Sequence, residues 1–313
     1  MIEWRPRSTN AEQAARDLIS AAMFLHTTFK DEVWLWRGQA DHRYGLEPGL
    51  HTRVKRTGGI PNSEGEVVEA AAYLISKARD ADIDRVNGTR LPDLALLAHL
   101  QHYGAATPLL DVSVDPLVAL WMVAFASPTA VDALDKRAGS LYAIKRPPLD
   151  RVLNPLDARP YTSNDEASIS AALGDSVWWY RAPEITERLR IQRGSFLIGP
   201  LVAPDSSETT LPLVTTSSNG NWLEKRLSRR GQPSNTTRST TDVAIFRVQG
   251  AVKRFLREIL ENRSGLNIST IYPTPWERPF IEEFATGYSR TRLVDARPAE
   301  SEREACGEDE EGM

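Results

Sequence analysis

The chain has 313 residues, 41% of them hydrophobic and 26% charged, which suits an ordinary soluble protein with a sizeable core. Its net charge of -4 gives no global drive toward nucleic acid or an anionic membrane. The single cysteine, Cys306, excludes an internal disulfide framework and a thiolate metal cluster, and fits a reducing, cytoplasmic setting.

The opening MIEWRPRSTN lacks the long apolar core of a signal peptide. Thr9 with Glu12 forms a capping-box pattern before AARDLISAAMFLHTTF, so a helix is predicted there, ending near Lys30. VWLW then reads as a strand that stops on Arg37 and Gly38. Val67, Val68, Ala71, Leu74, Ile75 and Ala78 recur at helical spacing in the next segment. Pro92 and Asp93 open another helix, with Gly104 as its stop. PLLDVSV is a short strand, and Asp115 followed by Pro116 caps the apolar helix PLVALWMVAFA, which is too short to span a bilayer.

Further on, GSLYAIKR, RIQRGSFLIGP and DVAIFRVQ read as strands, AVKRFLREILENRSG as a helix, and NISTIYP as a last strand. Residues 205–242 form a long Ser/Thr-rich loop with a basic centre, EKRLSRRGQ, expected to be mobile. Residues 291–313 form an acidic tail expected to stay disordered. The predicted organisation is an N-terminal helix (1–30), one domain (31–290) and that tail. Helices concentrated in the first half and strands in the second indicate an α+β fold on a mostly antiparallel sheet.

Three places bear chemistry. Alternation puts Val33, Leu35 and Arg37 on one strand face and Trp34, Trp36 and Gly38 on the other. An arginine at the end of an apolar strand needs an anion, which is either a bound phosphate or carboxylate, or an Asp or Glu of the chain. Asp111, carried between apolar residues, is the obvious internal partner. Gly38 lets a ligand or another backbone approach closely.

Gln101, His102 and Tyr103 lie at a helix end, where His102 could be a base, a ligand donor or a satisfied core histidine. His99 and His102 share a helix face without a third ligand or an HExxH pattern, so no metal is expected. Ser113 precedes the capped helix, as an anion-facing hydroxyl or a turn former. In RLRIQRGSF, strand alternation would put Arg190, Gln192 and Gly194 on one face; the alternative is a bulge at Gly194 with solvated arginines. No Walker A loop, GxGxxG or GxSxG is present, so no prosthetic group is expected. The short basic run, without interleaved aromatics, argues against nucleic acid.

Together, WLWRGQADHRYGLEPGLHTR, LLAHLQHYGAATPLLDVSVDPLVALWMVAF, GSLYAIKR and RLRIQRGSF resemble the FRG domain, named for an aromatic-Arg-Gly motif. The order Arg37-Gly38-Gln39, Gln101-His102-Tyr103-Gly104, Leu109-Leu110-Asp111 carries the resemblance. Pro108, Val112 and Ser113 stand where the family usually has Arg, Trp and Thr. The family turns up in bacterial and phage-related gene sets, which implies a toxin or antiviral-defence role.

A further likeness is to ADP-ribosyltransferases of the Arg-Ser-Glu type. It implies a split sheet and NAD as substrate. In that likeness Arg37 would hold a phosphate or ribose, Ser113 would brace the nicotinamide side, and Gln192 would stand in place of the catalytic glutamate. Gly38, Gln39, Gln101, His102, Tyr103 and Asp111 would form the binding rim. Asp111, Glu184 or Glu187 could supply the missing carboxylate. The alternative is a nucleotide-sensing or protein-binding module without turnover.

Overall fold

A computed structural model describes residues 2–28, 32–56, 64–127, 130–162, 165–184, 186–200, 211–215, 222–228, 241–273 and 281–286. The elements run β1 (Ile2–Trp4), α1 (Ala11–Thr28), β2 (Trp34–Gln39), α2 (Gly49–Arg56) and α3 (Glu64–Asp80). A small hairpin, β3 (Arg85–Val86) and β4 (Thr89–Arg90), leads to α4 (Asp93–His102), β5 (Leu110–Ser113), α5 (Pro116–Val123) and β6 (Gly139–Lys145). Then follow β7 (Val152–Leu153), α6 (Ile169–Leu173), β8 (Trp178–Tyr180), α7 (Glu187–Ile191), β9 (Gly194–Ile198), α8 (Trp222–Ser228), β10 (Val243–Val248), α9 (Gly250–Ser264) and α10 (Ile268–Ile271).

The fold is mixed α/β around one eight-stranded sheet of order β1-β10-β6-β2-β5-β9-β8-β7. The two outermost pairs, β1 with β10 and β7 with β8, are parallel, and the inner pairs are antiparallel. Strands and helices are interspersed along the chain rather than divided between its halves. β2 pairs with β6 over its whole length but with β5 only at Trp36 opposite Ser113. The sheet therefore opens between β2 and β5 just past that pair.

Strand alternation distributes the core as the pleat requires. Trp34 and Trp36 of β2, Leu141 and Ala143 of β6, and Ala244 and Phe246 of β10 pack on one face against α1, α5 and α9. Leu35, Tyr142, Ile144, Val243 and Ile245 point to the other face, with Leu110, Val112 and Leu197. A separate cluster joins α3 and α4 to Tyr180, Phe196 and Ile198, and contains all six residues of the predicted α3 stripe.

The Asp115 carboxylate accepts from Leu117 N at 2.9 Å ahead of Pro116, as predicted for α5. Asn10, not Thr9, caps α1, because its side chain is the one placed to accept from Gln13 N at 3.0 Å. The predicted last strand, NISTIYP, is instead α10, nucleated by a reciprocal Asn267–Thr270 capping box. RIQRGSFLIGP divides: α7 ends at Ile191 and β9 begins at Gly194. Arg193, at φ +46°, turns the chain between them. Gln192 thus closes a helix rather than sharing a strand face with Arg190 and Gly194.

Within the stretch read as a loop, Trp222–Ser228 forms α8; Trp222 stacks on Trp34 at 5.9 Å, and Arg226 pairs with buried Glu32. The rest of that basic loop, apart from residues 211–215 and 241–242, and the acidic tail lie outside the described residues. Among the described residues, no helix is long and apolar enough to cross a membrane.

Candidate functional site

The opening between β2 and β5 is the mouth of a cleft of about 680 Å³, inside the roughly 300–1,000 Å³ range of small-molecule sites. The ends of β2 and α4, the loop before α2, α5, α7 with the start of β9, and Tyr272 line it. Arg37, Gly38, Gln39, Gln101, His102, Asp111, Ser113 and Gln192 all contribute to this lining. Tyr103 does not; it turns against His99, ring to ring at 5.1 Å.

Where the β2–β5 ladder lapses, Arg37 fills the gap. Its Nη1 donates to the Asp111 carbonyl at 2.8 Å and meets Asp111 Oδ1 at 2.6 Å. A side chain here supplies the partner that a neighbouring strand's N–H would otherwise offer. Arg37 is 16% exposed and Asp111 64% exposed, so the cation is shielded while the carboxylate opens into the cleft. Enclosure by the cleft walls opposes ionisation of Asp111, but the Arg37 guanidinium outweighs it and holds the carboxyl below its ordinary range, with Arg188 assisting. Gln101 extends the array: its amide donates to Asp111 Oδ1 at 3.3 Å, and its carbonyl accepts from Thr107.

Gly38 serves packing. A Cβ there would lie 1.9 Å from the Ala119 carbonyl oxygen and 2.8 Å from Val123 N, so the α5 backbone takes that space. Gln39 donates to Gly45 O at 2.9 Å, which fixes the loop leading to Arg43, Tyr44 and Glu47 on the cleft wall. Buried Lys253 of α9 donates to Ala40 O and Leu134 O, tying together two further lining segments.

Ser113 is a brace. Its Oγ donates to Gln192 O at 2.8 Å and accepts from Asp115 N at 3.0 Å. The Gln192 side chain donates to Ile271 O at 3.0 Å, joining α7 to α10. Both fix the wall facing Asp111. Burial, aided by the nearby Arg188 charge, lowers the His102 pKa to about 3, so this imidazole is neutral at pH 7. Its Nδ1 is buried without a hydrogen-bond partner among the described residues.

The sequence placed Arg188 only among the three arginines around Gln192, with solvation as one reading, and gave Tyr272 no role. Arg188 Nη1 donates to His102 O at 2.8 Å, and its guanidinium lies 4.3 Å from the Tyr272 ring centroid. Met122 of α5 and Phe125, just past its end, complete this apolar wall, with Tyr272 stacked on Phe125 at 4.8 Å. The sequence signal was the cluster RLRIQR, whose Arg190 and Arg193 turn to solvent at 61% and 64% exposure. Among the described residues, Asp111 and Glu47 are the carboxylates in the lining; Glu184 and Glu187 lie outside it. No group of three His, Cys, Asp or Glu there could hold a metal.

The Arg37–Gly38 strand end, the α4 terminus and the Asp111 strand meet at this one cleft. Residues 32–132 match the family model of the FRG domain, and that span contains all three. The chain carries an FRG domain. No curated protein and no solved structure matches the chain. The family segment supplies Arg37, Gln39, Gln101, His102, Asp111 and Ser113, while Arg188, Gln192 and Tyr272 come from beyond the matched span.

Proposed function

We propose that the FRG cleft binds an NAD-like dinucleotide and cleaves the bond between nicotinamide and ribose. The observation that carries this reading is the open Asp111 carboxylate, kept ionised by Arg37, in a cleft with aromatic walls. A carboxylate aimed at developing positive charge is the electrostatic element that glycosidic cleavage of NAD requires. Gln192 is neutral and cannot supply that charge, and Asp111 lines the same cleft.

In this reading Asp111 accepts a ribose hydroxyl and offsets the charge that grows at C1′. The C1′–N bond breaks with its electron pair passing to the pyridine ring, so nicotinamide leaves neutral. Water or an acceptor nucleophile bonds to C1′, and its proton passes to solvent. Ser113 and Gln192 hold the opposite wall in place, and neutral His102 hydrogen-bonds without adding charge.

A second reading has its own support. Arg37 already spends donors on Asp111, and Gln192 on Ile271, which suits a module that senses the nucleotide without turning it over. Nicotinamide release from NAD by the purified chain separates the two. Release that falls about a hundredfold or more in Asp111→Asn, with binding retained, supports cleavage. Binding without release supports the sensor. A toxin or defence role would show as growth arrest on expression, relieved by Arg37→Ala; an inert wild type counts against it.

A further inference from the structure

We infer that Arg188, not Arg37, seats the ligand's diphosphate. The inference rests on the nucleotide reading for the identity of the anion. Its geometric basis is separate.

Arg37 is committed. Nη1 is held by both the carbonyl and the carboxylate of Asp111, and the side chain is shielded. Arg188 is placed differently. It spends one donor on the His102 carbonyl and rests its guanidinium on the Tyr272 ring. Among the described residues it has no carboxylate within ion-pair distance, which is what separates it from Arg37; the buried Nε of each arginine has no hydrogen-bond partner there. Of the three arginines of RLRIQR it is the one that lines the cleft, while Arg190 and Arg193 pair with Glu187 and Asp115 at the surface.

A guanidinium held by a ring face and a carbonyl, with the Asp111 carboxylate acting on it only from beyond ion-pair distance, keeps donors open to an anion, and its planar fork suits two phosphate oxygens. The neighbouring imidazole, His102, is neutral and adds no competing charge. Tyr272, Phe125 and Met122 give a flat apolar surface beside this cation, as a ring-bearing diphosphate requires. The competing role for Arg188 is a staple that only caps the last turn of α4.

Calorimetric titration of the full chain with ADP-ribose, adenosine and inorganic diphosphate decides between the two. Arg188→Gln is expected to weaken ADP-ribose and diphosphate about tenfold or more, and adenosine less than about twofold. The salt dependence of ADP-ribose binding should flatten in the same variant. Unchanged ADP-ribose affinity in a variant that melts like the wild type overturns the inference and leaves the nucleotide reading standing. Should Arg188→Gln not fold, Arg188→Lys decides. Charge kept without the fork weakens ADP-ribose severalfold, and unaltered affinity overturns the inference. A wild type that binds diphosphate through Arg188 but neither NAD nor ADP-ribose overturns the nucleotide reading and supports the anion seat. A wild type that binds none of these overturns both.

Discussion

Two arginine–carboxylate pairs flank β2 and illustrate opposite uses of the same chemistry. At its start Glu32 meets Arg226, with side chains 7% and 5% exposed, roofed by Trp222. At its end Arg37 meets Asp111, where the cation is shielded and the carboxylate is 64% exposed. The first pair is sealed, so it can act only as an internal tie between α8 and the strand. The second is sealed on one side, which keeps a carboxylate ionised and presents it to a cleft. The difference arises from the sheet. β2 has a full partner in β6, but it parts from β5 after a single residue pair, and the gap exposes Asp111.

Breaking the sealed pair should cost most. Arg226→Met takes the guanidinium from buried Glu32 and should lower stability by about 3–5 kcal/mol in denaturant unfolding. A loss below about 1 kcal/mol would mean the pair is not sealed in solution. Gly38→Ala should come next, at about 1–3 kcal/mol or more, because its Cβ meets the α5 backbone rather than a side chain that can turn away. It tests whether the cleft wall at β2 is rigid packing. Asp111→Asn should cost about 1–2 kcal/mol, less than the sealed pair, since the shielded Arg37 loses its anion but keeps its carbonyl bond and the carboxylate itself is open to solvent.

A further effect is a slope with pH rather than a fixed loss. His102 is depressed from 6.5 to about 3 in the folded chain, so the unfolded chain binds the proton first. Its contribution is complete above pH 6.5 and is lost as pH falls toward 3, at up to about 1.4 kcal/mol per pH unit. His102→Gln should remove that component of the acid slope in unfolding measured from pH 7 to pH 4. An identical slope in the variant would place the imidazole in water. For Asp111 the folded pKa is also lowered, so its stabilisation is present above the ordinary carboxylate range and fades as pH falls through that depressed value.

Long periodic segments and the Asp115 cap were readable from the chain, whereas the α1 cap falls on Asn10 and not on Thr9. The α3 stripe is buried in full, and Asp115-Pro116 starts α5 where local chemistry dictates. The need to neutralise a shielded charge left two partners for Arg37, a bound anion or Asp111, and the structure shows the pair with Asp111. Short elements were not readable. α7 spans five residues and α10 four, fewer than periodicity needs, and the β-branched residues of α10 suggest a strand. The edge strands β1 and β7, and β8 beside β7, are too short to show alternation. Arg188 and Tyr272 join the cleft through tertiary packing between α4, α7 and α10, which no local pattern encodes.

The most direct measurement is a crystal structure of Asp111→Asn with NAD bound, since that variant should bind without cleaving. The account predicts the nicotinamide ribose with C1′ facing position 111 across the β2–β5 gap. NAD seated away from that gap, or an empty cleft at saturating NAD, would contradict it.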